Sequence, residues 1–135
     1  MIIFNEQGKI ERININELLG IDDSTRPIFG FPNPLINSVF IDDGKIFVNL
    51  FHNNSLVNWH FVYSYIDKKM IGEPVAISMN CHHLNFPQDN FYDQLNQKVY
   101  SFYRQGQTFT IDVNDTSKYE QQNIDIGDFG QMYFV

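Results

Sequence analysis

Residues 38–79, "SVFIDDGKIFVNLFHNNSLVNWHFVYSYIDKKMIGEPVAISM", decide the fold class. Apolar residues alternate with polar ones in runs of strand length, and each run ends in a turn-forming cluster: Asp43-Gly44, Asn53-Asn54 and Asp67-Lys68-Lys69. Period-two alternation between closely spaced turns is the pattern of an antiparallel meander. Closing the first turn as a two-residue hairpin on Asp43-Gly44 predicts Val39 opposite Val48 and Ile41 opposite Ile46. Closing the second on Asn53-Asn54 predicts Leu50 opposite Val57, Val48 opposite Trp59 and Ile46 opposite Phe61. Both turns then put Ile46, Val48 and Leu50 on one apolar face. The third turn keeps that face only with a three-residue loop or a bulge, which would set Phe61 against Val75 and Trp59 against Ile77. In this register Trp59 lies at the centre of the core, and His60 points the other way, across from Phe47.

A second hairpin is legible in "KVYSFYRQGQTFTIDV", where closure on Gln105-Gly106 predicts Phe102 opposite Phe109 and Tyr100 opposite Ile111. Ser101, Tyr103, Thr108 and Thr110 would take its polar face. "MIIFN" and "KIERIN" form a further hairpin around Glu6 to Gly8. Helix is scarce. Asn14 caps one turn through Leu19, with Glu17 in the reciprocal position and Gly20 as the stop. "QDNFYDQLNQ" fits either a short helix or an irregular approach to the second hairpin, and "RPIFGFPNPL" reads as an extended crossing loop. The expected fold is mainly β (β-rich α+β): an antiparallel meander sheet plus additional hairpins and one or two short helical turns, in a single domain over 1–135. The meander resembles one blade of a β-propeller in its strand order, with the second hairpin like half of another.

With 135 residues, 43% of them hydrophobic and 16% aromatic, the chain has material for one packed core and far too much for disorder. A formal net charge of −7 disfavours nucleic-acid backbones and anionic membrane surfaces, which would repel it at long range. A basic protein is the natural partner. "MIIFNEQGKIERIN" does not read as a signal peptide, and no run has the apolar length of a membrane span, so a cytoplasmic location is expected. The single cysteine rules out an internal disulfide.

"ISMNCHHLNF" concentrates that cysteine and two of the four histidines. Alternation brings Cys81 and His83 to one side and sends His82 to the other. A metal centre or a small β-rich enzyme would have to recruit His52, making Cys81, His83 and His52 the one plausible set. A nucleophile pair would need its partners to meet across the fold, whereas these are neighbours. The stretch is therefore read as a strand end and turn, with Cys81 as a small buried hydrophobe, no metal and no cofactor. "DVNDTSKYE" has alternating oxygen ligands, but its sixth position is Ser117 where a calcium loop needs Gly, and the twelfth is Asn123 where it needs Glu.

Charge remains. Beyond Lys118 the chain carries Glu120, Asp125 and Asp128 and no basic residue, and Asp22, Asp23, Asp89 and Asp93 could extend that acidic set into a docking surface. With "NELLGIDD" (16–23), "YEQQNIDIGD" (119–128) and the overall charge balance, the chain resembles the small acidic immunity proteins that bacteria carry against toxins of contact-dependent systems. The resemblance implies a non-enzymatic, stoichiometric inhibitor. Its acidic side chains would steer onto a basic, nuclease-type toxin, and aromatic anchors would seal the contact. The competing readings are the β-rich enzyme or ligand-binding domain above, and an adaptor whose propeller-like meander docks into a larger assembly.

Overall fold

The computed structural model describes residues 1–4, 7–20, 35–41, 44–52, 57–78, 87–103 and 107–123. They form three antiparallel sheets and one short helix. A hairpin of β1 (Ile2–Phe4) and β2 (Ile10–Arg12) opens the chain. Next comes α1 (Ile15–Leu19), where the Asn14 side chain accepts the Glu17 N–H at 3.3 Å and Gly20 ends the helix at φ 66°. Four strands then run in sequence order as the first sheet: β3 (Leu35–Ile41), β4 (Lys45–His52), β5 (Val57–Ser64) and β6 (Lys69–Ser78). The second sheet repeats the plan with β7 (Pro87–Asp93), β8 (Lys98–Tyr103), β9 (Gln107–Asp112) and β10 (Tyr119–Asn123). The mainly β, antiparallel class expected from the alternation is the class observed. The second unit is a full meander, not a hairpin, because "QDNFYD" is strand β7.

Register is where turn chemistry misleads. Ile41 pairs with Lys45 and Val39 with Phe47, one residue away from the two-residue closure. Gly44 adopts φ 77° as the last residue of a three-residue connection, where such loops need a left-handed conformer. Asn53-Asn54 lies outside the described residues, but the pairing His52↔Val57 leaves a four-residue connection. The resulting shift of two positions pairs Leu50 with Trp59 and Val48 with Phe61, and an even shift preserves the face. At the third turn, where a three-residue loop or a bulge was expected, the pairing Ser64↔Lys69 leaves a four-residue connection, and a bulge lies further along the strands, between the pairs His60↔Val75 and Val62↔Ile71. It places Val75 with His60, so Val75 and Ile77 do not surround Trp59. In the second sheet Phe102 pairs with Thr108 and Ser101 with Phe109, again one residue from the expected register. Tyr103 and Ser101 therefore turn inward, and Tyr100 and Phe102 outward.

Two cores result. Ile46, Val48, Leu50, Phe61 and Tyr63 pack against Ile15 of α1 and Ile3 of the hairpin, with Trp59 half-buried at the margin. Phe47, Val62 and Val75 of the first sheet meet Val99, Tyr103, Phe109 and Ile111 of the second. The first sheet is thus covered on both faces, and β3 and β7 are the strands by which the two sheets lie closest. His60, expected away from the core, is on the inter-sheet face and fully buried.

Candidate partner-binding face

The second sheet buries one face against the first and turns the other outward. Pairing fixes which residues share the outer face. Asp93 stands beside Lys98, Asp112 and Lys118 in one row, Phe91 beside Tyr100, Thr110 and Glu120 in the next, and Asp89 beside Phe102, Thr108 and Gln122 in the third. Directly opposite residues of antiparallel strands project to the same side. The register thus brings together three of the acidic residues singled out in the sequence, Asp89, Asp93 and Glu120. With strands ~4.8 Å apart, β7 and β10 are about 14 Å apart across the face. Asp22, Asp23, Asp125 and Asp128 lie outside the described residues.

Four members of this face escaped the sequence reading, Phe91 because its stretch was left between helix and irregular chain. Asp112 was absorbed in the calcium-like stretch, and Tyr100 and Phe102 were assigned to a core by the slipped hairpin. Phe91 and Phe102 meet edge to face at 5.5 Å, giving the acidic surface an apolar centre. The carboxylates differ in what they already hold. Asp93 accepts the Asn96 side-chain amide at 2.6 Å and the Leu95 and Asn96 N–H groups, an arrangement that holds its carboxyl below the usual carboxylate range. Asp112 accepts the Asn114 and Asp115 N–H groups, closing the β9–β10 loop. Asp115, off the face, is likewise lowered by the Ser117 hydroxyl and N–H. The calcium-like stretch therefore spends its oxygens on its own backbone. Glu120 is exposed on β10, and Asp89 is exposed on β7 with one oxygen accepting the N–H of Asn90.

Tyr119, 49% exposed, stacks on Phe109 at 5.7 Å and separates two grooves. One, of about 460 Å³, runs along the rim between the sheets and is bounded by Glu73, Pro74, Asn114, Asp115 and Tyr119. The other, of about 320 Å³, opens on the outer face among Lys98, Thr110, Asp112, Lys118 and Glu120. Thr116 donates its hydroxyl to the Glu73 carbonyl at 2.9 Å and pins the loop to β6. Gly72, at φ 67°, allows that approach, since a Cβ there would collide with the Thr116 hydroxyl.

The histidine of the inter-sheet seam is structural. His60 stacks on Phe109 at 3.8 Å and its Nε2 is hydrogen-bonded to the Tyr103 hydroxyl, which accepts the Asn49 amide at 2.9 Å. The Tyr103 oxygen thus joins Asn49 of β4 and His60 of β5 across the seam. Burial lowers the His60 pKa to about 3; the Val75 backbone opposes this weakly, without bringing Nδ1 a partner at hydrogen-bond geometry. Burial also pushes the Tyr103 phenol up. Among the described residues no three His, Cys, Asp or Glu side chains are placed to hold a metal ion. Cys81, His82 and His83 lie outside those residues, as does the side chain of His52. Among the described residues no helix is long and apolar enough to cross a membrane. Compared with family models, curated proteins and solved structures, the chain matches none.

Proposed function

We propose that this protein works by binding a basic protein through the outer face of its second sheet, as an immunity-type inhibitor that neutralises a basic, nuclease-type bacterial toxin. The observation that carries the reading is the register-defined gathering of Asp89, Asp93, Asp112 and Glu120 around Phe91, Tyr100 and Phe102, where four carboxylates outnumber the two cations, Lys98 and Lys118. Acidic groups steer a basic surface into encounter, and aromatic side chains that shed water on contact supply the lasting affinity. Such an inhibitor needs no catalytic residue of its own; it covers the site of its target. The test is to mix the protein with the nuclease domain encoded beside its gene and measure nucleic-acid cleavage. One equivalent should abolish cleavage, and Phe102→Ala should require a clear excess. Undiminished cleavage at several equivalents would refute the reading.

A further inference from the structure

We infer that the outer edge of β10, which no other described strand pairs, receives an added strand from the basic partner; this rests on the binding role proposed above and specifies its geometry. The two four-stranded sheets have four edges. Those of β3 and β7 lie against each other. The edge of β6 is blunted: it carries Lys69 and Pro74, is broken by a bulge, and gives its Glu73 carbonyl to Thr116. Lysine, proline and bulges are the usual devices that keep an edge from pairing. The β10 strand has none of them. Its sequence is Tyr-Glu-Gln-Gln-Asn, its pairing with β9 is unbroken from Tyr119 to Asn123, and Tyr119 to Gln122 are exposed.

The ladder shows which backbone groups are open. The Asp112 N–H donates to the Lys118 carbonyl at 3.0 Å, and the Thr108 hydroxyl reaches the Gln122 carbonyl at 3.4 Å. Even-numbered positions of this segment therefore point their backbone groups at β9. By the alternation of an antiparallel pair, the N–H and C=O groups of Tyr119, Gln121 and Asn123 point outward along the edge. A strand laid there would send alternate side chains to opposite faces. One set falls beside the outer groove, where Lys98 and Lys118 stand with Asp112 and Glu120 and small residues fit; the other falls into the rim groove beside Tyr119 and Pro74, where Glu73 and Asp115 receive cationic ones. The fitting segment is extended and alternates cationic with small apolar residues. Main-chain hydrogen bonds give such an addition its affinity, and the flanking grooves give it selectivity.

The probe is an end-blocked seven-residue peptide alternating Lys and Val, titrated into the full chain while amide hydrogen exchange is followed. The Tyr119, Gln121 and Asn123 amides should slow by roughly tenfold or more on saturation, with Glu120 and Gln122 slow from the start. Gln121→Pro removes an outward donor without touching the β9 ladder and should weaken peptide binding by at least roughly tenfold, whereas Gln121→Ala should bind like wild type. If the proline variant does not fold, the exchange pattern of the wild type decides. Protection falling elsewhere, or a proline variant that binds like wild type, overturns strand addition. If in that case Glu120→Lys still weakens binding, the acidic-face reading survives; if neither change matters, both fall. Wild-type dimerisation that is abolished by Gln121→Pro would assign the edge to a second copy and refute the proposed occupant.

Discussion

Acidification should unfasten the two sheets through His60. The imidazole is neutral in the folded protein, with its pKa lowered to about 3 by burial, and regains a value near 6.5 when the chain unfolds. Above pH ~6.5 neither state binds the proton and stability is unaffected. As pH falls below that value the unfolded chain takes up a proton that the native one refuses, so stability is lost at up to about 1.4 kcal/mol per pH unit until the native pKa is reached. Between pH 7 and 5 the loss is about 2 kcal/mol. Asp93 and Asp115, whose pKa values are lowered, contribute stability that disappears only at lower pH, outside this window. The assay is a series of urea melts at pH 7, 6 and 5. The midpoint should drop by about 1 M over the range, for a urea slope of about 2 kcal/mol per M. His60→Gln, which can still hydrogen-bond Tyr103, should be less stable at pH 7 but flat from pH 7 to 5. A wild type that is equally flat, or a glutamine variant that keeps the slope, would refute the buried neutral imidazole.

Three further outcomes are expected. Tyr103→Phe removes the hydroxyl shared by His60 and Asn49 and leaves both without it inside the seam, which should cost about 1–3 kcal/mol in a denaturant melt. Gly72→Ala should cost about 1–3 kcal/mol, because φ 67° disfavours a side chain and the new Cβ meets the Thr116 hydroxyl; combining it with Thr116→Ala should recover part of that loss in a double-mutant cycle. Trp59→Ala should cost less than roughly 3 kcal/mol, the low end for a large buried aromatic, since the indole is half-buried at the margin of its core. Melts monitored by circular dichroism check all three.

The identity of β3 to β6, β8 and β9 was legible in the sequence because alternation reports burial directly, whereas polar β10 read as part of an acidic loop; the faces of β4 and β5 survived a mistaken loop because the shift was even. The odd shifts were not legible. Asp43-Gly44 and Gln105-Gly106 suit a two-residue turn as well as the end of a three-residue one, and the choice is made by which side chains find partners across the seam. Phe109 and Ile111 satisfy the core in either register, so nothing local separated Tyr103 inward from Phe102 inward. His60 illustrates the same limit: its face was assigned correctly as opposite to that of Trp59, but only a second full sheet makes that face a core. The acidic face was half visible. Glu120, Asp89 and Asp93 were evident as charges, while their sharing one side depends on β7 being a strand, which "QDNFYDQLNQ" leaves open.

The most direct test of the binding role is the association rate of the protein with its cognate nuclease domain, measured by stopped flow at increasing salt, for wild type and for an Asp89→Lys, Glu120→Lys variant. Both positions are exposed, so the fold should persist, which circular dichroism verifies. Long-range attraction acts on encounter and is screened over about 10 Å at 0.1 M salt. The wild-type rate should therefore fall steeply with salt. The variant should associate roughly tenfold more slowly at low salt, and the two should converge at high salt. Equal rates at low salt, with the same dependence on salt, would contradict the assignment of this face to a basic partner.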